Sequence, residues 1–232
     1  MPEKGHILVV DDDDLLRESI RVRLQQDGYQ VAVAATGAAA LSTALRILPD
    51  LVLLDIGLPD SDGFDICRAL QRERWVPVIF LTGRSSEIDK VSGLALGDDY
   101  VTKPFSLMEL EARIGMVLRR SRQVSQSQRN AVIEVGGVRL NPASHEVVVR
   151  GQSVEFTPKE FELLHLLMSR AGDAITTNEI LSSVWGPEYT GAYELVYVHI
   201  SWLRQKLSID PRHPKLIHTV RGIGYRFMPE ES

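Results

Sequence analysis

Five short apolar runs, at residues 7–10, 31–34, 51–54, 78–81 and 100–101, recur through the first half of the chain, and each is separated from the next by a longer stretch. Several of those stretches carry apolar residues at helical spacing: Leu15, Leu16, Ile20 and Leu24, then Ile66, Ala69 and Leu70, and after the fifth run Leu110, Ile114, Val117 and Leu118. Strands alternating with helices predict an open parallel sheet covered on both faces. The runs are almost continuously apolar, as strands buried on both sides must be.

The texture changes after residue 118. Residues 119–130 hold one apolar residue, Val124, among Ser, Gln and Arg, so they bury no face and are read as a tether. This divides the chain into a first domain (1–120), a linker (121–130) and a second domain (131–232). The second opens with short strand-like pieces at 132–135, 138–140, 146–149 and 153–156, which suit a four-strand antiparallel platform. Thr157-Pro158-Lys159-Glu160 then starts a helix, with a hydroxyl N-cap, proline at the first position and Glu three residues after the cap. A second helix starts at Thr176-Thr177-Asn178-Glu179 and a third spans about 192–207, followed by a Gly-rich hairpin at 219–227. Three helices and a hairpin predict an α+β winged helix-turn-helix domain.

At 44% hydrophobic and 25% charged, the chain has the composition of a globular protein. No apolar run reaches membrane-spanning length, and the first residues lack a signal-peptide core, so the cytosol is the expected compartment. The lone Cys67 excludes an internal disulfide or a Cys-based zinc cluster and reads as a small core residue. The net charge of −5 counts against a nucleic-acid partner until it is divided. Residues 1–120 hold 14 Lys+Arg against 19 Asp+Glu, the linker adds +2, and residues 131–232 hold 10 against 12. Within the last segment, residues 204–226 carry six basic residues (Arg204, Lys206, Arg212, Lys215, Arg221, Arg226) against Asp210 alone.

Asp11–Asp14 follows the first strand and Asp55 ends the third, so a parallel sheet brings their carboxylates to its carboxyl edge, where such sheets bind ligands. Converging carboxylates without His or Cys suit a hard, oxygen-seeking cation that keeps waters and engages phosphate, namely Mg²⁺. Thr82 ends the fourth strand and Lys103 follows the fifth, placing a hydroxyl and an ammonium where they can hold the oxygens of a phosphoryl group on Asp55. Asp13 and Asp14 also suit the N-terminus of the first helix. A phosphatase with an Asp-x-Asp pair is the rival enzyme reading. Asp11 and Asp13 have its spacing, but Leu15 stands where its hydroxyl belongs and no cap domain fits.

On ILVVDDDD (7–14), LVLLDIGLPDSDGFD (51–65), VIFLTGR (78–84) and DDYVTKPF (98–105), residues 5–120 resemble the receiver domain of bacterial two-component response regulators. Residues 131–229 resemble the effector domain of the OmpR/PhoB subfamily. The resemblance implies a flavodoxin-like, doubly wound α/β receiver with a five-stranded parallel sheet. It makes Asp55 the phosphoacceptor, Asp11, Asp12, Asp55 and the Gly57 backbone carbonyl the Mg²⁺ ligands, and Thr82 and Lys103 the phosphate contacts. Tyr100 becomes the aromatic switch that turns inward behind Thr82. By the same resemblance the receiver is expected to take the phosphoryl group from a sensor histidine kinase and to hydrolyse it slowly, and the chain is not expected to be an enzyme in the ordinary sense. Phosphorylation is expected to favour a symmetric dimer through the receiver's fourth helix, fifth strand and fifth helix, with Lys90, Asp98, Asp99, Glu109 and Arg113 on that face. Two effectors then read tandem half-sites in promoter DNA, and residues 186–192 are expected to contact RNA polymerase. The alternative is a receiver-containing adaptor whose second domain binds protein.

In the third effector helix, Val196, Ile200, Leu203 and Leu207 form the expected buried stripe. This leaves Leu195, Val198, His199, Ser201, Trp202 and Arg204 for the major groove, with Arg221 and Arg226 on the wing. Relatives often carry basic residues where Glu194, Ser201 and Trp202 stand, and an acid where Tyr197 stands. Weaker, more wing-dependent DNA binding is therefore expected.

Overall fold

A computed structural model describes residues 4–73, 76–83, 97–127, 131–207 and 216–228, and the chain divides into two compact units, Met1–Gln123 and Val124–Ser232. In the first unit β1 (His6–Val10), β2 (Gln30–Ala34), β3 (Leu51–Asp55), β4 (Val78–Thr82) and β5 (Asp99–Thr102) pair in the order β2-β1-β3-β4-β5. All four pairings are parallel. The helices among the described residues are α1 (Asp14–Gln26), α2 (Gly37–Ile47), α3 (Gly63–Glu73) and α4 (Leu107–Ser127).

The continuous apolar runs resolve into two alternating sets. Leu8, Val10, Val52, Leu54, Val78 and Phe80 pack with Ala40 and Ala44 of α2 and with Ile66, Cys67 and Leu70 of α3. Their neighbours Ile7, Val9, Leu51, Leu53, Ile79 and Leu81 pack with Ile20 and Leu24 of α1 and with Leu110, Ile114 and Val117 of α4. Each strand therefore feeds two cores, which holds its carboxyl end rigid. Cys67 is buried, and that burial raises the pKa of its thiol.

Helix α4 runs on through Ser127, into the segment read from sequence as a tether. That segment has no apolar face, but it also lacks Gly and Pro, and Arg and Gln are good helix formers.

In the second unit β6 (Ile133–Val135), β7 (Val138–Asn141), β8 (Glu146–Val149) and β9 (Gln152–Ser153) form the antiparallel platform. β9 is shorter than expected, pairing only Gln152 and Ser153 with β8. Helix α5 (Pro158–Ser169) has the full capping box between Thr157 and Glu160. Then come β10 (Ala174–Thr176), α6 (Thr177–Val184), a 3₁₀ turn at Pro187–Tyr189, α7 (Tyr193–Leu207), β11 (Ile217–Val220) and β12 (Gly224–Phe227). The hairpin's second strand is central in a three-stranded sheet, β10-β12-β11. No helix among the described residues is long and apolar enough to cross a membrane.

Candidate functional site

Asp11 follows β1 directly and Asp55 ends the adjacent β3, so the strand order itself sets them side by side. Asp11 is fully buried, Asp55 nearly so, and Asp12 is exposed. One carboxylate oxygen of each lies within 4.8 Å of the others. The three form an acidic pocket of hard oxygen donors that can hold a metal ion. Thr82 is buried at the end of β4. Lys103, just past β5 and joined to Pro104 by a cis peptide, brings its Nζ to 2.7 Å from Asp55 Oδ2 and 2.8 Å from Asp11 Oδ2.

Burial raises the Asp11 pKa, against the lowering effects of Lys103 and the Asp13 amide; the Asp55 charge acts in the same direction as burial. For Lys103 burial disfavours the ammonium, but the hydrogen bonds and charges of Asp11 and Asp55 outweigh it and raise the pKa. The ammonium is thus held between two carboxylates. The Gly57 N–H donates to Asp55 Oδ1 at 3.1 Å, which tethers the loop bearing the Gly57 carbonyl to the central carboxylate.

Asp13 is the N-cap of α1, accepting from Leu15 N at 2.9 Å and Leu16 N at 3.1 Å, and Asp14 pairs with Arg17 in the first turn. Those two serve the helix, as their alternative reading held. Two supports escaped the sequence reading. The Arg17 guanidinium donates to the Asp11 carbonyl, fastening α1 to the pocket. Asp60, in the loop after β3, accepts from Gly37 N at 2.9 Å and Ala38 N at 3.1 Å. These amides lower its carboxyl pKa and join the Asp55 loop to the start of α2.

Tyr100 is half-buried and its hydroxyl shares a 2.9 Å hydrogen bond with Thr102 Oγ1. Of the residues expected on a dimer face, Lys90 lies outside the described residues. Asp98 is a correction: it is buried and accepts from Val78 N at 3.0 Å, because the first amide of β4 needs a partner there. Asp99 is buried and pairs with Arg113 at 3.2 Å, and Arg113 also meets Glu109 at 3.1 Å.

The effector face needs a second correction. Leu195 and His199 are buried, not presented on the groove face. Both α5 and α6 pack against α7, so its buried arc is wider than the four-residue stripe. The His199 ring lies 4.8 Å from Trp185 and 5.1 Å from Trp202, while Val198 and Trp202 are half-buried and Ser201 is exposed. Arg204 donates to Ile217 O at 2.9 Å and Thr219 Oγ1 at 2.9 Å, and lies over the Tyr225 ring. Lys206 donates to Glu155 O at 2.9 Å and pairs with Glu160. Arg226 is half-buried, Arg221 is exposed in the hairpin turn, and Arg212 and Lys215 lie outside the described residues.

The family model described as "Response regulator receiver domain" matches residues 7–115, and "Transcriptional regulatory protein, C terminal" matches residues 151–227. The chain is 42% identical over 221 residues to "Sensory transduction protein RegX3" of Mycobacterium tuberculosis, covering 95% of this chain and 97% of that one. It is 43% identical over 233 residues to "Probable transcriptional regulator ycf27" of Porphyridium aerugineum, covering 97% and 96%. A solved structure of a RitR mutant matches with a TM-score of 0.85 at 27% identity, covering 97% of this chain and 99% of that one.

Proposed function

The chain belongs to the OmpR/PhoB subfamily of two-component response regulators, with a receiver and a DNA-binding C-terminal domain, and from that premise we propose that Asp55 takes a phosphoryl group from a sensor histidine kinase. The observation that carries this reading is the Lys103 ammonium spanning Asp11 and Asp55 in the acidic pocket. A carboxylate oxygen of Asp55 attacks phosphorus in line, an O–P bond forms as the P–N bond of the phosphohistidine breaks, and the leaving imidazole nitrogen takes a proton. Lys103 and the Thr82 hydroxyl then hold phosphoryl oxygens. Their reach from separate strands fixes the group at the sheet edge.

Asp11, Asp12, Asp55 and the Gly57 carbonyl would hold Mg²⁺. When bound, the cation neutralises charge on the transferring phosphoryl oxygens. Slow hydrolysis of the acyl phosphate at the same site makes the receiver a timer and not an enzyme with a turnover substrate. Tyr100 responds by exchanging its Thr102 partner for an inward position behind Thr82. Phosphorylation favours a homodimer through the face that carries Asp99, Glu109 and Arg113, where the partly exposed Arg113–Glu109 pair is available for exchange. Surface pairs are each worth about 0–1 kcal/mol, so they set register more than affinity. Two effectors then read tandem promoter half-sites in the cytoplasm, with residues 186–192 facing RNA polymerase. The adaptor reading is not favoured, since residues 151–227 match a transcriptional regulatory domain.

Incubated with radiolabelled acetyl phosphate and Mg²⁺, the full chain should take up label that hydroxylamine removes. Asp55→Ala should abolish that label, and label retained by the variant refutes the assignment.

A further inference from the structure

Tyr193 is exposed at the start of α7, and Glu194, Tyr197, Ser201 and Gln205, with Val198 half-buried at the edge, line the side opposite its buried arc. The residues of that side recur at i, i+3, i+4, i+7 and i+11, one line along the helix. It carries no cation. Arg204 and Lys206, the basic residues of this helix, bond within the effector, and Arg221 is the exposed cation of the hairpin. A face without Arg or Lys cannot make the bidentate contact to guanine O6 and N7 that is the commonest specific contact in the major groove.

What remains on the face is one carboxylate, which only accepts, beside two hydroxyls and an amide that both donate and accept. Glu194 is the second residue of α7, and the N-terminal residues of a groove helix are the ones that reach base edges. An exposed carboxylate there has one complementary major-groove partner without repulsion from base acceptors, the cytosine N4 amine. We propose that Glu194 is the specificity-determining residue of this effector and selects a cytosine in each half-site. The inference rests on α7 being the groove helix. Glu194 also sits in the first turn, where a carboxylate favours the helix dipole; that structural role predicts no base preference.

The test is selection from randomised duplexes by the full chain treated with acetyl phosphate and Mg²⁺, run in parallel with Glu194→Gln. The wild type should enrich half-sites with one fixed cytosine, whose replacement weakens binding about ten-fold. Gln is nearly isosteric and pairs with adenine N6 and N7, so the variant should move that position from cytosine to adenine. An unchanged motif in Glu194→Gln, or a wild-type motif without a fixed cytosine, overturns the inference and leaves the DNA-binding reading standing. Retention of no duplex by either protein overturns both.

Discussion

Single residues decide how the loop after Asp55 is built. A Cβ on Gly63 would lie 2.4 Å from the Asp55 carbonyl oxygen and 2.7 Å from Ile56 Cα, both backbone atoms that cannot step aside. Gly63→Ala should therefore cost about 1–3 kcal/mol and slow acetyl phosphate labelling, read by denaturant unfolding and label uptake. Gly57→Ala is the contrast, because nothing lies within 4 Å of its added Cβ; its stability should stay within about 0.5 kcal/mol of the wild type. If the two variants unfold alike, the packing argument fails. His165 gives a pH prediction. Its half-burial beside Phe161 lowers its pKa from 6.5, so the folded state resists the proton that the unfolded state accepts. Stability is full above 6.5 and falls as the pH drops through 6.5 toward the folded value. Melts of the full chain at pH 7.5 and 5.5 should differ less in His165→Gln than in the wild type; an equal difference removes His165 as a cause. The pocket residues were legible because each stands at a strand end. Asp60 was not, since it caps a helix 23 residues away in sequence and a short polar loop does not announce its distant partner.

At the scale of elements, periodicity located every long strand of the parallel sheet but failed where tertiary packing chose between options. Three-residue β10 has no period to read, and it exists because β12 offers an edge to Ala174, Ile175 and Thr176. The buried arc of α7 took in Leu195 and His199 because two helices flank it, a fact about neighbours and not about the helix. The hairpin depends on β10 in turn. A Cβ on Gly224 would meet Ile175 O at 2.1 Å and Thr176 Cα at 3.0 Å, so Gly224→Ala should part β12 from β10. The expected loss is about 1–3 kcal/mol of effector stability, with faster amide exchange at Ile175 and Tyr225, whose strands pair there. Exchange rates equal to wild type would show that the sheet absorbs the methyl group.

For the whole molecule, the charge of −5 is a sum of unlike parts. The receiver's acidity includes an acidic pocket that can hold a metal ion, and the effector's −2 conceals a basic segment at 204–226. The fold trims that segment further, because Arg204 and Lys206 are engaged by β11 and by the α5 cap. Affinity for DNA rises with the number of phosphates neutralised and falls with salt in the same proportion. With no exposed Arg or Lys among the described residues of α7, the protein should bind each half-site weakly, depend on pairing of two effectors, and lose affinity only gently as salt rises. Arg221, exposed in the hairpin turn, is expected to add one phosphate contact. In binding isotherms over a range of salt, Arg221→Ala should weaken binding to all sequences alike and reduce the slope of log K against log salt by about one per protomer. Glu194→Gln touches a base edge instead, so it should change which sequence is bound while leaving that slope intact. A slope and affinity unchanged by Arg221→Ala would mean that the wing does not meet the backbone, and that phosphate contacts come from another face of the effector.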